Sequence, residues 1–206
     1  TLSTGTDEVA IGHNALNLST DSYNVAIGSG AADILAGGTR NVAIGYDALG
    51  GSSSASYSVV IGFWAGDAAM TGNSNTIIGN EAGTNITSGN TNTIVGANAG
   101  INLQTGYSNT IIGSYAGNGA ITGNNNLILG YSVGSSAISG TNNVFLGATN
   151  QSITSGSHNY ILGDSAGRGV TTGSYNFIAG NAAAYDATNT LVSDDNLIIG
   201  RDAAYI

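Results

Sequence analysis

The chain has 206 residues, including 33 glycines, no proline, no cysteine and no lysine, and its formal net charge is −9. Its three scattered arginines cannot form the clustered basic surface that nucleic acids require, so we expect no nucleic-acid partner. The lack of cysteine excludes disulfides and thiolate metal sites, and without an apolar run of about 18 residues we expect no membrane insertion.

Short apolar runs recur along the whole chain, and each is followed by a glycine that we call the anchor glycine. Successive anchor glycines are 16 to 20 residues apart, and the commonest spacing is 17. Such a repeat predicts a single repetitive domain over residues 1–206 with no linker. The anchors are Gly12, Gly28, Gly45, Gly62, Gly79, Gly96, Gly113, Gly130, Gly147, Gly163, Gly180 and Gly200.

Each apolar run predicts a short β-strand, because about three residues are too few for a helix, which typically has about ten or more. The flanking glycine and asparagine residues suit turns, since they adopt positive φ at little cost. Strand direction is the same in every repeat, so the strands must pair in parallel. We therefore predict an all-β fold, a parallel β-solenoid (β-roll) of about twelve 17-residue coils, each with two or three short strands.

Two residue types recur at fixed distances from the anchor. Asparagine stands four residues before it in most repeats, as at Asn92 and Asn109, and alanine stands three residues after it, as at Ala99 and Ala116. We expect the asparagines to stack into a ladder of amides bonded along the axis, as in other stacked β-structures. The alanines mark a position where only a small side chain fits.

Adjacent apolar residues within each run predict contact between chains. Successive side chains of a strand point to opposite faces, so one of each pair is left in water unless another surface covers it. A straight apolar stripe favours closed symmetry about the axis. The alternative is a monomer whose own loops, such as residues 84–87, cover the stripe. We predict an interface that includes Ile77, Ile94, Ile111, Ile128, Phe145, Ile161, Ile178 and Ile198.

The segments NVAIGSGA (residues 24–31), NVAIGYDAL (41–49) and SNTIIGNEAG (74–83) resemble the head repeats of trimeric autotransporter adhesins and, equally, the repeats of bacteriophage tail fibres. The resemblance covers essentially the whole chain. The 17-residue period is closer to the fibre group, since autotransporter heads usually have a shorter repeat. The resemblance implies a homotrimer along the fibre axis, with Val42, Ala43, Ile44 and their equivalents in the core and the chain contact.

The resemblance also implies a location outside a cell, on a cell surface or on a virion. The expected function is that of a structural and adhesive fibre segment that presents a receptor-binding surface, with cell-surface glycans as candidate partners. A self-assembling extracellular filament has the same expected fold. An ice-binding solenoid is a further alternative, because Thr76, Thr93 and Thr110 align in three consecutive repeats before the row ends at Leu127.

Aromatic residues in the turns after some anchor glycines are the candidates for ligand contact. Other repeats carry polar residues in the same turns, so these rings would form a shallow strip suited to stacking on sugars. Alternatively, they cover the edge of the core or the contact between chains. The candidates are Tyr46, Phe63, Trp64, Tyr115 and Tyr131.

We expect no enzymatic activity, no cofactor and no metal site. Glycan hydrolysis needs two carboxylates about 5–10 Å apart, whereas Asp33, Asp47 and Asp67 are expected at different repeat positions in consecutive coils. Asp194 and Asp195 stand in the long final insertion and could hold a cation with Asp186 or Asp202, although a solvated loop is the simpler interpretation.

Overall fold

The computed structural model describes residues 6–20, 22–52, 54–147, 154–185 and 193–204. These residues form a parallel β-solenoid, which confirms the predicted fold, with one three-residue strand per repeat. The strands are β1 (Val9–Ile11), β2 (Val25–Ile27), β3 (Val42–Ile44), β4 (Val59–Ile61), β5 (Thr76–Ile78), β6 (Thr93–Val95), β7 (Thr110–Ile112), β8 (Leu127–Leu129), β9 (Val144–Leu146), β10 (Tyr160–Leu162), β11 (Phe177–Ala179) and β12 (Leu197–Ile199).

All twelve strands lie in one parallel sheet and pair in chain order from β1 to β12. The register places equal repeat positions side by side, so that Ile77 pairs with Ile94 and Ile94 with Ile111. Elsewhere in the described coils the backbone forms turns. The β-pairing found outside the strands consists of isolated parallel bridges from Leu103 to Ile121 and from Ile121 to Ile138. Over the described residues each coil has one strand rather than two or three, because its other sides offer single apolar residues among turn formers.

The middle residue of each strand points into the coil. All eight predicted interface residues occupy this position, and seven are fully buried within one chain: Ile77, Ile94, Ile111, Ile128, Phe145, Ile161 and Ile178. The eighth, Ile198, is partly buried against the same core. Placing the chain contact on these side chains was therefore wrong, because alternation along the strand leaves the first and third residues, not the middle one, on the outside.

Two further rows of side chains complete the core. Most alanines three residues after the anchor are buried, as at Ala99 and Ala116, although the equivalent Val133 is buried too, so this position also takes valine in one coil. The third row stands seven or eight residues after the anchor, and its buried apolar members are Leu35, Met70, Ile86, Leu103, Ile121, Ile138 and Val170.

The sizes of two core side chains compensate each other: the middle strand residue and the residue four positions after the anchor glycine. The small Ala43 is accompanied by the buried Leu49, whereas the larger Ile94 is accompanied by Gly100. A Cβ added at Gly100 would lie 3.2 Å from Cδ1 of Ile94 and 3.3 Å from Cδ1 of Ile111. Isoleucine methyl groups thus occupy the space that leucine fills in the earlier coil.

The predicted asparagine ladder is confirmed, and it is buried. The backbone N–H and the side-chain Nδ2 of Asn109 both donate to Oδ1 of Asn92, at 2.9 and 3.2 Å, and Nδ2 also donates to the carbonyl of Gly123 at 3.0 Å. The pattern recurs along the solenoid with one interruption, where Ser58 Oγ accepts from the backbone of Asn75 at 3.2 Å. The ladder ties each coil to the next through side chain and backbone together.

The anchor glycines stack directly on one another. Gly79 has a φ of 141°, and a Cβ at this position would overlap the carbonyl oxygen of Gly96 in the next coil. Only glycine satisfies both the backbone conformation and the close approach, which explains why this residue marks every repeat.

Candidate functional site

The outward side of the twelve-stranded sheet is an apolar surface, which we call the apolar sheet face. It consists of the first and third residues of the strands, which are half-buried or exposed throughout the described coils. Neither row contains a charged residue. The first row includes Val25, Val42, Val59, Thr76, Thr93, Thr110, Leu127, Val144, Tyr160 and Phe177, and the third Ile27, Ile44, Ile61, Ile78, Val95, Ile112, Leu129, Leu146, Leu162 and Ile199.

Loops of the same chain do not cover this face within the described residues. Ile78 and Leu129 keep 36% and 41% of their surface exposed. In the segment expected to act as a cover, Ile86 points into the core and Thr84 Oγ1 donates to the carbonyl of Trp64 at 3.1 Å. Residues 84–87 therefore wind around the coil and do not lie over the apolar sheet face.

Three of the five predicted ligand-contact residues come together, and we call them the aromatic turn cluster: Tyr46, Phe63 and Trp64. The rings of Tyr46 and Phe63 stack with centroids 5.2 Å apart and planes at 19°. The rings of Phe63 and Trp64 are 4.6 Å apart and tilted by 48°. All three keep between 41% and 47% of their surface exposed, so ring surface remains open to a ligand.

The other two predicted residues form a separate group. Tyr115 and Tyr131 meet edge to face, with ring centroids 6.2 Å apart. The coils between the two groups carry Asn80, Ala97 and Asn98 in the equivalent turns. The rings therefore form two clusters along the axis rather than the continuous strip expected.

One carboxylate contacts the aromatic turn cluster directly. Trp64 Nε1 donates to Oδ2 of Asp47 at 3.3 Å. Asp33 and Asp67 in fact share one repeat position, five residues after their anchors, which corrects the expectation that they differ. Burial, and secondly the charge of Asp47, raise the pKa of the Asp67 carboxyl above its ordinary value, while a hydrogen bond from the backbone of Gly51 opposes this rise.

The raised pKa of Asp67 predicts a pH-dependent effect of Asp67→Asn. Because the folded chain holds this proton more tightly than the unfolded chain, the stability it contributes is complete below the ordinary carboxyl pKa of about 4 and is lost as pH rises through the higher folded value. We expect Asp67→Asn, which keeps an acceptor for Gly51, to be more stable than the parent chain at neutral pH. Urea unfolding of both chains at neutral pH and at a pH below the ordinary carboxyl pKa measures this difference in stability. A stability gain of Asp67→Asn that persists unchanged at the acidic pH would contradict the prediction.

Sequence reasoning missed a second aromatic group, five residues before the anchors. Arg40 lies between two tyrosine rings, with Cζ 5.2 Å from the centroid of Tyr23 and 5.4 Å from that of Tyr57, and its Nη1 donates to the Tyr57 hydroxyl at 3.2 Å. At the same position near the other end, His158 stacks on Tyr175 with centroids 4.7 Å apart. The shared distance from the anchor was the signal that could have revealed these stacks.

The proposed cation-binding loop is only partly described, because Asp186 and residues 187–192 lie outside the described residues. Asp194 Oδ1 accepts a hydrogen bond from the backbone of Ser174 at 2.7 Å, and Asp202 forms an ion pair with Arg201. Over the parts of the chain that the structure describes, no group of three histidine or acidic side chains suits a metal. No helix there is long and apolar enough to cross a membrane.

Comparisons of the chain with protein-family models, with curated proteins and with solved structures found no match.

Proposed function

We propose that the chain is a structural and adhesive segment of an extracellular or virion fibre, in which three chains associate along the solenoid axis. The apolar sheet face carries this proposal. At about 4.8 Å per strand and about 3.3 Å per residue, it is about 55 Å long and about 10 Å wide. The area given by this length and width is at the upper end of the range for the largest apolar patch on a monomer, which is about 300–600 Å².

Association through the apolar sheet face is favourable for three reasons. Burying each large aliphatic side chain stabilises a complex by about 1.5–3 kcal/mol. The rows carry no charge whose desolvation would oppose contact, and residues 82–163 contain no Asp, Glu, Lys or Arg at all. The face also runs along the solenoid, because its strands pair in chain order from β1 to β12, and an axial face suits closed rotational symmetry. The number three comes from the resemblance to trimeric fibres.

Substituting an outward residue tests the assembly. We expect Ile78→Asp to shift the mass measured by light scattering from three chains towards one, because the new carboxylate would be buried in the contact. Circular dichroism should remain that of a β-protein, since Ile78 does not point into the coil. Asn118→Asp, on a turn away from the strands, serves as the control and should keep the assembled mass. A parent chain that is monomeric, or equal masses for both variants, would contradict the proposal.

The two alternatives differ in what they predict. A filament subunit would give continuous fibres in electron microscopy, whereas a trimeric segment gives short rods. Ice binding is supported by the paired register of Thr76, Thr93 and Thr110 on the outward side of the sheet. The row continues as Leu127 and Val144, so we expect no thermal hysteresis.

A further inference from the structure

Trp64 shares its repeat position, two residues after the anchor glycine, with the acidic residues Asp47 and Glu81 of the two neighbouring coils. The backbone N–H of Trp64 donates to the carbonyl of Tyr46, and that of Glu81 donates to the carbonyl of Phe63, at 2.9 and 2.8 Å. These bonds place the turn of each coil directly over the previous one. Asp47, Trp64 and Glu81 therefore follow one another, at the strand spacing of about 4.8 Å.

The indole of Trp64 is held in place while it remains accessible. Its Nε1 donates to Asp47 Oδ2, and its ring lies against Phe63, which in turn stacks on Tyr46. About two-fifths of the Trp64 surface is exposed. A ligand would thus meet an aromatic surface whose orientation is already set, which lowers the entropy cost of binding.

The charge around these rings is negative and is not neutralised by ion pairs. Asp47, Asp67 and Glu81 lie in this region, and the ion pair found among the described residues joins Arg201 to Asp202, in the last coil. The nearest arginine in the sequence, Arg40, is held between Tyr23 and Tyr57. An incoming cation would therefore find uncompensated carboxylates beside open aromatic surface.

We propose that the aromatic turn cluster, together with Asp47 and Glu81, binds an alkylammonium group, carried by an amino sugar or a quaternary ammonium head group. Aromatic faces attract cations through their quadrupole, tryptophan most strongly, and flanking carboxylates add Coulomb attraction. The same carboxylates repel anionic ligands, including acidic sugars. The inference deepens the adhesive part of the proposed function by naming the chemistry of the ligand.

The second aromatic cluster provides an internal comparison. Tyr115 and Tyr131 also present exposed rings, but they lie within residues 82–163, which contain no acidic residue. If exposed rings alone were enough, both clusters would bind the same ligands. If the carboxylates matter, only the cluster around Trp64 selects a cation.

Trp64 is the only tryptophan of the chain, so its fluorescence and its indole N–H resonance report on this site alone. We would titrate the 206-residue chain with choline and, in parallel, with its neutral carbon isostere 3,3-dimethylbutan-1-ol. We expect choline to bind about ten-fold more tightly than the isostere. Binding should weaken between about 0.01 M and about 1 M salt, as the Debye length falls from about 30 to about 3 Å.

Matched variants separate charge from shape. Asp47→Asn keeps an acceptor for the indole but removes the charge, and we expect it to abolish most of the preference for choline. Tyr115→Ala should leave the titration unchanged. Glucosamine compared with choline distinguishes an amino sugar from a quaternary ammonium group as the natural source, and N-acetylglucosamine, which lacks the positive charge, is the neutral control for glucosamine.

Equal responses to choline and the neutral isostere, or no response to either, would overturn the cation site. Light scattering on the same samples reports assembly separately. A trimer that ignores choline removes only the cation site, whereas a choline-binding monomer removes only the fibre proposal.

Discussion

Ile94→Ala is expected to destabilise the chain by about 2–5 kcal/mol, since it empties a fully buried position of the coil. Gly100→Leu alone should also destabilise it, because a Cβ at Gly100 already lies 3.2 Å from a methyl group of Ile94. The backbone itself permits leucine there. Leu49, at the equivalent repeat position, has a φ of 57°, close to the 54° of Gly100.

The double variant Ile94→Ala/Gly100→Leu reproduces the Ala43 and Leu49 pairing of an earlier coil. We expect it to lose less stability than the two single variants summed, with a coupling of about 1–3 kcal/mol. The Ile111 methyl group, 3.3 Å from the added Cβ, should keep the rescue incomplete. Urea unfolding of the parent chain, the two single variants and the double variant measures this coupling. All four are compared at one fixed chain concentration, because association adds to apparent stability. Additive losses would show that the two positions do not share one volume.

The second large effect is expected from Asn109→Leu, in the buried asparagine ladder. The substitution removes the acceptor of the Asn126 backbone N–H and the donor to the Gly123 carbonyl. Both groups are left unpaired in the interior, at about 1–3 kcal/mol each. A total loss of about 2–6 kcal/mol should appear in urea unfolding.

Asn109→Ser is the matched control, because the chain itself has serine in this row. Ser58 Oγ accepts from the Asn75 backbone at 3.2 Å, so serine preserves the coil-to-coil bond. It is too short to replace the bond from Nδ2 to a carbonyl 14 residues ahead, as in Asn109 to Gly123. The serine variant should therefore lose about half as much as the leucine variant. Similar losses for both would mean that packing, rather than hydrogen bonding, dominates at this position.

Sequence periodicity was sufficient to predict the solenoid. Every repeat has the same strand, the same anchor glycine and nearly the same length, so equal positions can pair only with one another. This is why the parallel register, the asparagine ladder and the small alanine position were predicted correctly. In such a repeat, local spacing and long-range pairing contain the same information.

The candidate site was less predictable, since it depends on differences between repeats. Tyr46, Phe63 and Trp64 stand out individually, but their stacking depends on the distance between neighbouring coils. The contact between Asp47 and Trp64 could have been found by aligning repeat positions, as could the stacking of Arg40 between tyrosines. In each case the contact joins residues about one coil apart, which reading a single repeat does not reveal.

By itself, the sequence determined that the chain is a parallel β-roll whose strands are apolar on both sides. Only the tertiary structure decided which member of each apolar pair is inside. The alternation of side chains along a strand sets two possible phases, and the turn at the anchor glycine selects the one that buries Ile77 and exposes Ile78. The inner row makes the coil stable, and the outer row remains available for contact with other chains.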